Sequence, residues 1–395
     1  MVTFQIVGTK ELGYFLNYQF IFLFLSLSFF NYYAYLYNVK HLFTTLLVLA
    51  FATLNAQEPV HTIFLVGDAG KSATPGKSLT LLDEQLKTTT NGSVIFLGDN
   101  IYPAGLHLSK TKGDTTESER NLLCQLKIVS DFTGNVYFVP GNHDWDEGKA
   151  GGLKCINTEK KYINDYLYAQ STAANRNTGG YMPTPGVPGP QSVLLADGIR
   201  MIALDTQWFL HFHKKDNNPG KNRKQTADAF FNGLDSLLNY CQTNNEKALV
   251  VYHHPLFTNG GHGADKQPLR FLINYTPFQL LGLIGGNRWL VQDIPQPRFK
   301  KMRNRMLAIM AKYKGVINAS GHEHYLQHYT NGDDHFIVSG SGSKLSQKKV
   351  NKYTEDFFED QQPGFAKLMF YADGEIKVEY WGAIDKKVLK TIVLD

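Results

Sequence analysis

The sequence predicts a mixed α/β fold. Three observations carry this: short apolar, β-branched runs recur, each followed by a Gly- or Asn-containing turn; stretches with helical patterning lie between them; and two Asp-Gly pairs interrupt the alternation.

The runs His61 to Val66, Ser93 to Leu97, Val136 to Val139, Ala248 to Tyr252 and Val316 to Ala319 read as buried strands. Between them, Ser78 to Thr88, Glu119 to Phe132, Thr226 to Gln242 and Arg298 to Lys314 read as helices. Strands alternating with helices make parallel βαβ units. Asp197-Gly198 and Asp373-Gly374 are hairpin signals, which adds antiparallel pairs over Gln191 to Asp205 and Phe365 to Ala383, so the sheets are expected to be mixed. Gly179 to Pro190 is a Gly/Pro-rich loop and Gly260 to Pro297 a long connection with aromatic and apolar residues. No internal repeat or low-complexity tract follows residue 58.

A chain of 395 residues with 43% hydrophobic and 19% charged residues can bury a full core, as one large domain or two small ones. The formal charge of +5 is small for this length. Its basic clusters, Lys221 to Lys224, Lys300 to Arg305 and Lys348 to Lys352, are dispersed, as solvated surface would be, and no nucleic-acid partner is expected. Cys124, Cys155 and Cys241 form no C-x-x-C pair and no zinc-finger spacing. Pairing of Cys124 with Cys155 in an exported protein and three buried free thiols both stand as readings.

The first 58 residues read as lying outside the fold. Leu12 to Val39 carries no formal charge and is long enough to span a bilayer. Behind it, Lys40 and His41, the apolar run Leu42 to Leu54 and Asn55-Ala56-Gln57 form a signal-peptide pattern with cleavage after Ala56. A start of translation near Val39 would reconcile the two patterns, and a retained N-terminal anchor is the alternative. Either way residues 59–395 are expected outside the cytoplasm, with membrane contact only through the N-terminal segment.

Each of the five strands runs into residues that bind hard or borderline metals. Asp68 follows the first, Asp99 the second, Asn142 and His143 the third, His253 and His254 the fourth, and His322 with His324 the fifth. The carboxyl ends of strands in an open α/β sheet form the ligand crevice, so these side chains should converge. A Gly-Asp turn or a His pair alone is commonly structural. The ordered set is far more specific than any member. Two cations held close together need a bridging carboxylate, which Asp99 can supply, and such a pair clamps the attacking and leaving oxygens of a phosphoryl group.

Gly67-Asp68-Ala69-Gly70, Gly98-Asp99-Asn100-Ile101-Tyr102, Gly141-Asn142-His143-Asp144, Val251-Tyr252-His253-His254-Pro255 and Gly321-His322-Glu323-His324 resemble, in order, the five motif blocks of the purple, tartrate-resistant type acid phosphatases within the calcineurin-like metallophosphoesterase superfamily. The likeness spans about residues 61 to 385 and includes Leu326-Gln327 and Ser339-Gly340-Ser341-Gly342, which resemble the small mammalian-type enzymes. It implies a four-layer α/β/β/α sandwich of two mixed sheets with the metal site at the strands' C-terminal ends. It further implies that Asp68, Asp99, Tyr102 and His324 bind a ferric iron, and that Asp99, Asn142, His253 and His322 bind a divalent Fe, Zn or Mn. The superfamily's usual D-x-H first block has Gly70 in place of the His, and Tyr102 supplies the replacement donor, as in the purple enzymes. His143 and His262, the latter nine residues beyond His253, are implied to face the substrate, and His254 to line the pocket.

The implied reaction is acid phosphomonoester hydrolysis by attack of a metal-bound hydroxide at a binuclear Fe–M centre, with His143 or His262 binding the phosphate or protonating the leaving oxygen. A divalent-metal phosphodiesterase or nucleotidase of the same superfamily is the rival reading, and a non-catalytic metal-binding surface protein the reading from another class. The stretch at about 263–300 reads as longer than in the mammalian-type enzymes, which leaves a lid, a packed surface insertion or a membrane contact open and the substrate class with it.

Overall fold

The apolar runs become strands because both of their faces find cover. In the computed structural model of the protein, every residue of β1 (His61–Val66) and β2 (Gly92–Phe96) is buried, the pattern of strands sandwiched between layers. The structure describes residues 57–174, 179–213, 222–263, 296–346 and 357–394, together with Tyr35, Tyr37, Lys40 and His41. Met1–Glu58 and Pro59–Asp395 form two units. Nearly all of the first, including the hydrophobic segment and the cleavage point expected there, lies outside the described residues, as does 264–295, the bulk of the expected insertion. Among the described residues no helix is long and apolar enough to cross a membrane.

The remaining strands are β3 (Asn135–Phe138), β4 (Gly180–Tyr181), β5 (Gln191–Ala196), β6 (Ile199–Ala203), β7 (Lys247–Val251), β8 (Ile317–Ser320), β9 (Leu326–Asn331), β10 (Asp334–Ser339), β11 (Phe357–Asp360), β12 (Gly364–Phe370), β13 (Ile376–Gly382) and β14 (Lys387–Leu394). They form two seven-stranded sheets, ordered β14-β13-β12-β1-β2-β3-β4 and β11-β9-β10-β8-β7-β6-β5. Both are mixed. β1, β2, β3 and β4 run parallel, as do β6, β7 and β8, while β12 joins β1 antiparallel and β9 joins β10 antiparallel. Both Asp-Gly pairs turn antiparallel hairpins, with Gly198 at φ 70° and Gly374 at φ 90°, the left-handed region these turns need.

Side-chain alternation produces the layers. Ile63, Leu65, Ile95 and Leu97 pack with Leu249, Val251, Ile317, Ala319 and Leu368 in a core shared by the two sheets. The alternate residues Phe64, Val66, Val94 and Phe96 of the first sheet, and Ile202 and Val250 of the second, join the helices' apolar stripes. Those helices are α1 (Lys77–Leu86), α2 (Glu117–Ile128), α3 (Gly152–Ala174), the short α4 (Gln207–Leu210), α5 (Arg223–Thr243) and α6 (Pro297–Met310). The result is the four-layer α/β/β/α sandwich.

Helix ends differ from the sequence reading for local reasons. α1 stops at Leu86 because the hydroxyls of Thr88 and Thr89 donate to the Gln85 carbonyl at 3.0 Å each. α2 and α5 begin earlier than the apolar pattern, behind reciprocal capping boxes formed by Thr116 with Glu119 and by Asn222 with Gln225. All three cysteines are buried and free, so of the two cysteine readings the thiols stand.

Candidate metal centre

Asp68, Asp99, Asn142, His253 and His322 stand just beyond the C-terminal ends of β1, β2, β3, β7 and β8. Three of them adopt left-handed backbone, Asp68 at φ 58°, Asp99 at 53° and His322 at 68°. Such a conformation costs a non-glycine residue about 1 kcal/mol or more and persists where surrounding structure enforces it. Here it turns the chain sharply at each strand end.

The side chains gather into two groups. In one, the Tyr102 hydroxyl lies 2.8 Å from Asp68 Oδ1, 2.9 Å from Asp99 Oδ2 and 3.4 Å from His324 Nε2, and His324 Nε2 is 3.5 Å from Asp68 Oδ1. In the other, Asn142 Oδ1 lies 2.9 Å from His322 Nδ1 and 3.0 Å from His253 Nε2, these two nitrogens are 3.2 Å apart, and His253 Nε2 is 3.3 Å from Asp99 Oδ1. Ligands at about 2.1 Å around a tetrahedral ion stand about 3.4 Å from one another, so both groups have the edge lengths of a coordination shell. Asp99 turns one carboxylate oxygen to each. All seven residues of the expected ligand set are thus brought together, and Asp99, His253 and His322 offer three donor atoms mutually within 4.8 Å.

The electrostatics fit a cation. Asp99 is buried, which opposes ionisation, yet His253 and His143 hold its carboxyl well below the usual range. Burial lowers His253 while the Asp99 carboxylate more than compensates, leaving it raised to about 9. Ligation requires neutral imidazole, so metal binding displaces that proton and tightens as pH rises. His322 is held neutral, its pKa lowered first by burial and then by the histidines around it, and its buried Nε2 makes no hydrogen bond among the described residues. Burial, then Asp68 and Asp99, push the Tyr102 phenol well above its ordinary value; a cation between these oxygens would reverse that repulsion. The donors are of the right kinds: carboxylate and phenol oxygens with one imidazole in one group, two imidazoles with an amide and a carboxylate oxygen in the other.

Several contacts the sequence did not single out hold these donors. His253 Nδ1 bonds the Leu97 carbonyl at 2.8 Å, which directs Nε2 into the cluster, and the His322 backbone N–H donates to Asp68 Oδ2 at 2.7 Å. A Cβ on Gly70 would lie 2.1 Å from the Asn100 carbonyl. The backbone that carries Tyr102 therefore fills the space where a superfamily histidine would leave its own chain. Behind it, Asp144 accepts the N–H groups of Gly141, Asn100 and Ile101, and the Asn100 amide donates to Glu159 Oε1 at 3.0 Å. Burial, then the Asp99 charge, raise Asp144 to about 7, and burial, then Asp144, push Glu159 well above the carboxylate range.

The remaining histidines border the cluster. His143 donates its backbone N–H to Asp99 Oδ1 at 2.9 Å and bonds the Pro103 carbonyl through Nδ1 at 2.5 Å, leaving Nε2 3.8 Å from Asp99 Oδ2. His262 is tied by its backbone N–H to Glu323 Oε1 at 2.8 Å, and its ring stands 4.4 Å from that of His322 and 6.2 Å from that of His324. His254 bonds Thr206 Oγ1 at 2.8 Å through Nδ1 and lies 4.4 Å from the His322 ring, fully buried.

A family model described as calcineurin-like phosphoesterase matches residues 61–286. Among solved structures, the chain is similar to GAP50, the anchor in the inner membrane complex of Plasmodium, at 17% identity and a TM-score of 0.52, over 86% of this chain and 89% of that one. It is also similar to the purple acid phosphatase PPD1 from yellow lupin (Lupinus luteus) seeds, at 13% identity and a TM-score of 0.47, over 85% of this chain and 54% of that one. A dimetal phosphatase from Danio rerio is similar at 13% identity and a TM-score of 0.48, over 85% and 99%. No curated protein matches the sequence. At these identities the likeness to solved structures speaks to the fold.

Proposed function

Because the chain belongs to the calcineurin-like phosphoesterase family, and so to metal-dependent phosphoric ester hydrolases, we propose that it is an exported phosphomonoesterase working below neutral pH on a ferric–divalent metal pair. The single observation that carries this reading is Asp99, whose two oxygens face two separate donor sets, one containing a tyrosine. Asp68, Asp99, Tyr102 and His324 would hold the iron, and Asp99, Asn142, His253 and His322 the divalent ion. When bound, such a pair supplies Lewis-acid charge for the phosphoryl oxygens and an acidified water. Export rests on the Lys40 to Ala56 pattern.

The chain's own residues would do the rest. With Nδ1–H given to the Pro103 carbonyl, His143 would donate to a phosphate oxygen beside Asp99 through Nε2–H as the imidazolium. His262, its ring tilted against that of His322 and edge-on to that of His324, is the candidate to protonate the leaving oxygen. The buried carboxylates and neutral imidazoles exclude bulk water from the inner face of the site, which strengthens each of these contacts.

Metal content, the visible spectrum and turnover of an aryl phosphate monoester against its diester test the reading together. Iron with a phenolate charge-transfer band, lost in Tyr102→Phe with the fold intact, and faster monoester turnover are expected. A fully iron-loaded, oxidised and active protein with no visible band, or one preferring the diester, would transfer the assignment to the divalent phosphodiesterases.

A further inference from the structure

We propose that Lys344 selects the doubly charged phosphate of a monoester over the singly charged phosphate of a diester, an inference that rests on the phosphatase reading above. Its Nζ stands 3.9 Å from the centre of the Tyr102 ring, and the hydroxyl of that ring lies 2.8 Å from Asp68 Oδ1 and 2.9 Å from Asp99 Oδ2. The cation therefore sits at the rim of the iron-side donor group. Lys344 is half-buried, and among the described residues its ammonium has no carboxylate partner. A half-buried charge in that state stands ready for an anion from outside the chain.

The segment that carries Lys344 is fixed to the loops that carry the donors. Ser343 Oγ donates to the Asp68 carbonyl at 2.5 Å and accepts the Lys71 N–H at 3.2 Å. The Gly342 N–H donates to the Gly67 carbonyl at 3.0 Å, and the Ser346 N–H to the His324 carbonyl at 3.4 Å. Both sides of Lys344 are thus sewn to the strand-end loops of β1 and β8, so its position follows theirs.

The chemistry follows from charge and bulk. A lysine ammonium is a compact point charge that cannot ligate a metal while protonated, and it interacts more strongly with a dianion than with a monoanion. Esterifying a second phosphate oxygen removes one negative charge and puts an alkyl or aryl group where the ammonium would bond. Monoesters are favoured on both counts.

The test compares wild type, Lys344→Met and Lys344→Arg as full-length, metal-loaded protein, with metal content and melting temperature checked for each. Calorimetry measures inorganic phosphate binding, and steady-state kinetics measure an aryl phosphate monoester and its diester. Lys344→Met should weaken phosphate binding about tenfold, the scale of one charge-assisted hydrogen bond. It should raise the monoester KM more than it lowers kcat, and reduce the monoester-to-diester ratio of kcat/KM; Lys344→Arg should restore most of both. Wild-type phosphate affinity and ester ratio in Lys344→Met would overturn the proposal, as would a loss that Lys344→Arg does not repair. If wild type turns over neither ester yet binds phosphate, and Lys344→Met loses that binding, the phosphatase reading fails while the anion site stands.

Discussion

One hydroxyl hydrogen cannot serve two carboxylates, and the Tyr102 phenol lies within 2.9 Å of both Asp68 and Asp99. An oxygen so placed is a poor shared donor and a good ligand, which is why the colour of the iron-loaded protein is the informative measurement at this position. His262 offers a second test at the scale of one residue. Its ring approaches His322 and His324, and it lies outside both donor groups. His262→Ala should therefore keep both metals by elemental analysis while kcat falls by about 10²-fold or more, the scale of a lost general acid. Unchanged turnover across the pH range would remove it from the mechanism.

Among the elements, α3 explains why one supporting residue was invisible in the sequence. Leu153, Ile156, Ile163 and Leu167 are buried at helical spacing, but the position between them on that stripe is Glu159, which is fully buried. A charged residue type in an apolar stripe breaks the pattern by which such helices are read. Its role becomes visible only when Asn100, from a loop 59 residues away, arrives at hydrogen-bond distance. Burial, then the Asp144 charge, keep the Glu159 carboxyl neutral, so an amide should replace it well. Glu159→Gln should melt close to wild type and retain metal. Glu159→Ala leaves the Asn100 amide only the Val139 carbonyl at 3.0 Å and the longer contact to Asp144 Oδ2 at 3.3 Å, opens a cavity beside it, and should cost about 2–4 kcal/mol in urea denaturation, with weaker metal retention. Equal losses in both variants would mean that the hydrogen bond contributes little.

Across the whole molecule, buried neutral imidazoles set a lower pH limit on the fold. His328, bonded to Tyr380 Oη at 2.9 Å and to His335 at 3.2 Å, has its pKa lowered to about 3 by burial and then by His335. Burial likewise lowers His61 to about 4. Both folded-state values lie below the unfolded value near 6.5, so the unfolded chain binds more protons between them and stability falls as pH drops through that window. Each such imidazole costs about 1.4 kcal/mol per pH unit until its folded pKa is reached. An enzyme proposed to work in mild acid therefore operates on the descending side of its own stability curve. His328→Gln, which cannot take the proton, should lose less melting temperature than wild type between pH 6.5 and 4; parallel curves would assign the acid loss elsewhere.

The sequence by itself determined the mixed α/β class and the residues placed at its strand ends. Strand and helix periodicities depend on neighbours along the chain, and the order Asp68, Asp99, Asn142, His253, His322 places one donor at each strand's carboxyl end. The hairpins were legible for the same reason, since Asp-Gly specifies its own turn. Tertiary structure decided what depends on contacts between distant segments. It gave Asp99 one oxygen for each group, set Glu159 behind Asn100, brought Lys344 over the Tyr102 ring, and put the Asn100 backbone against Gly70. No local pattern encodes these, because each partner is chosen by how two sheets and their loops close on one another.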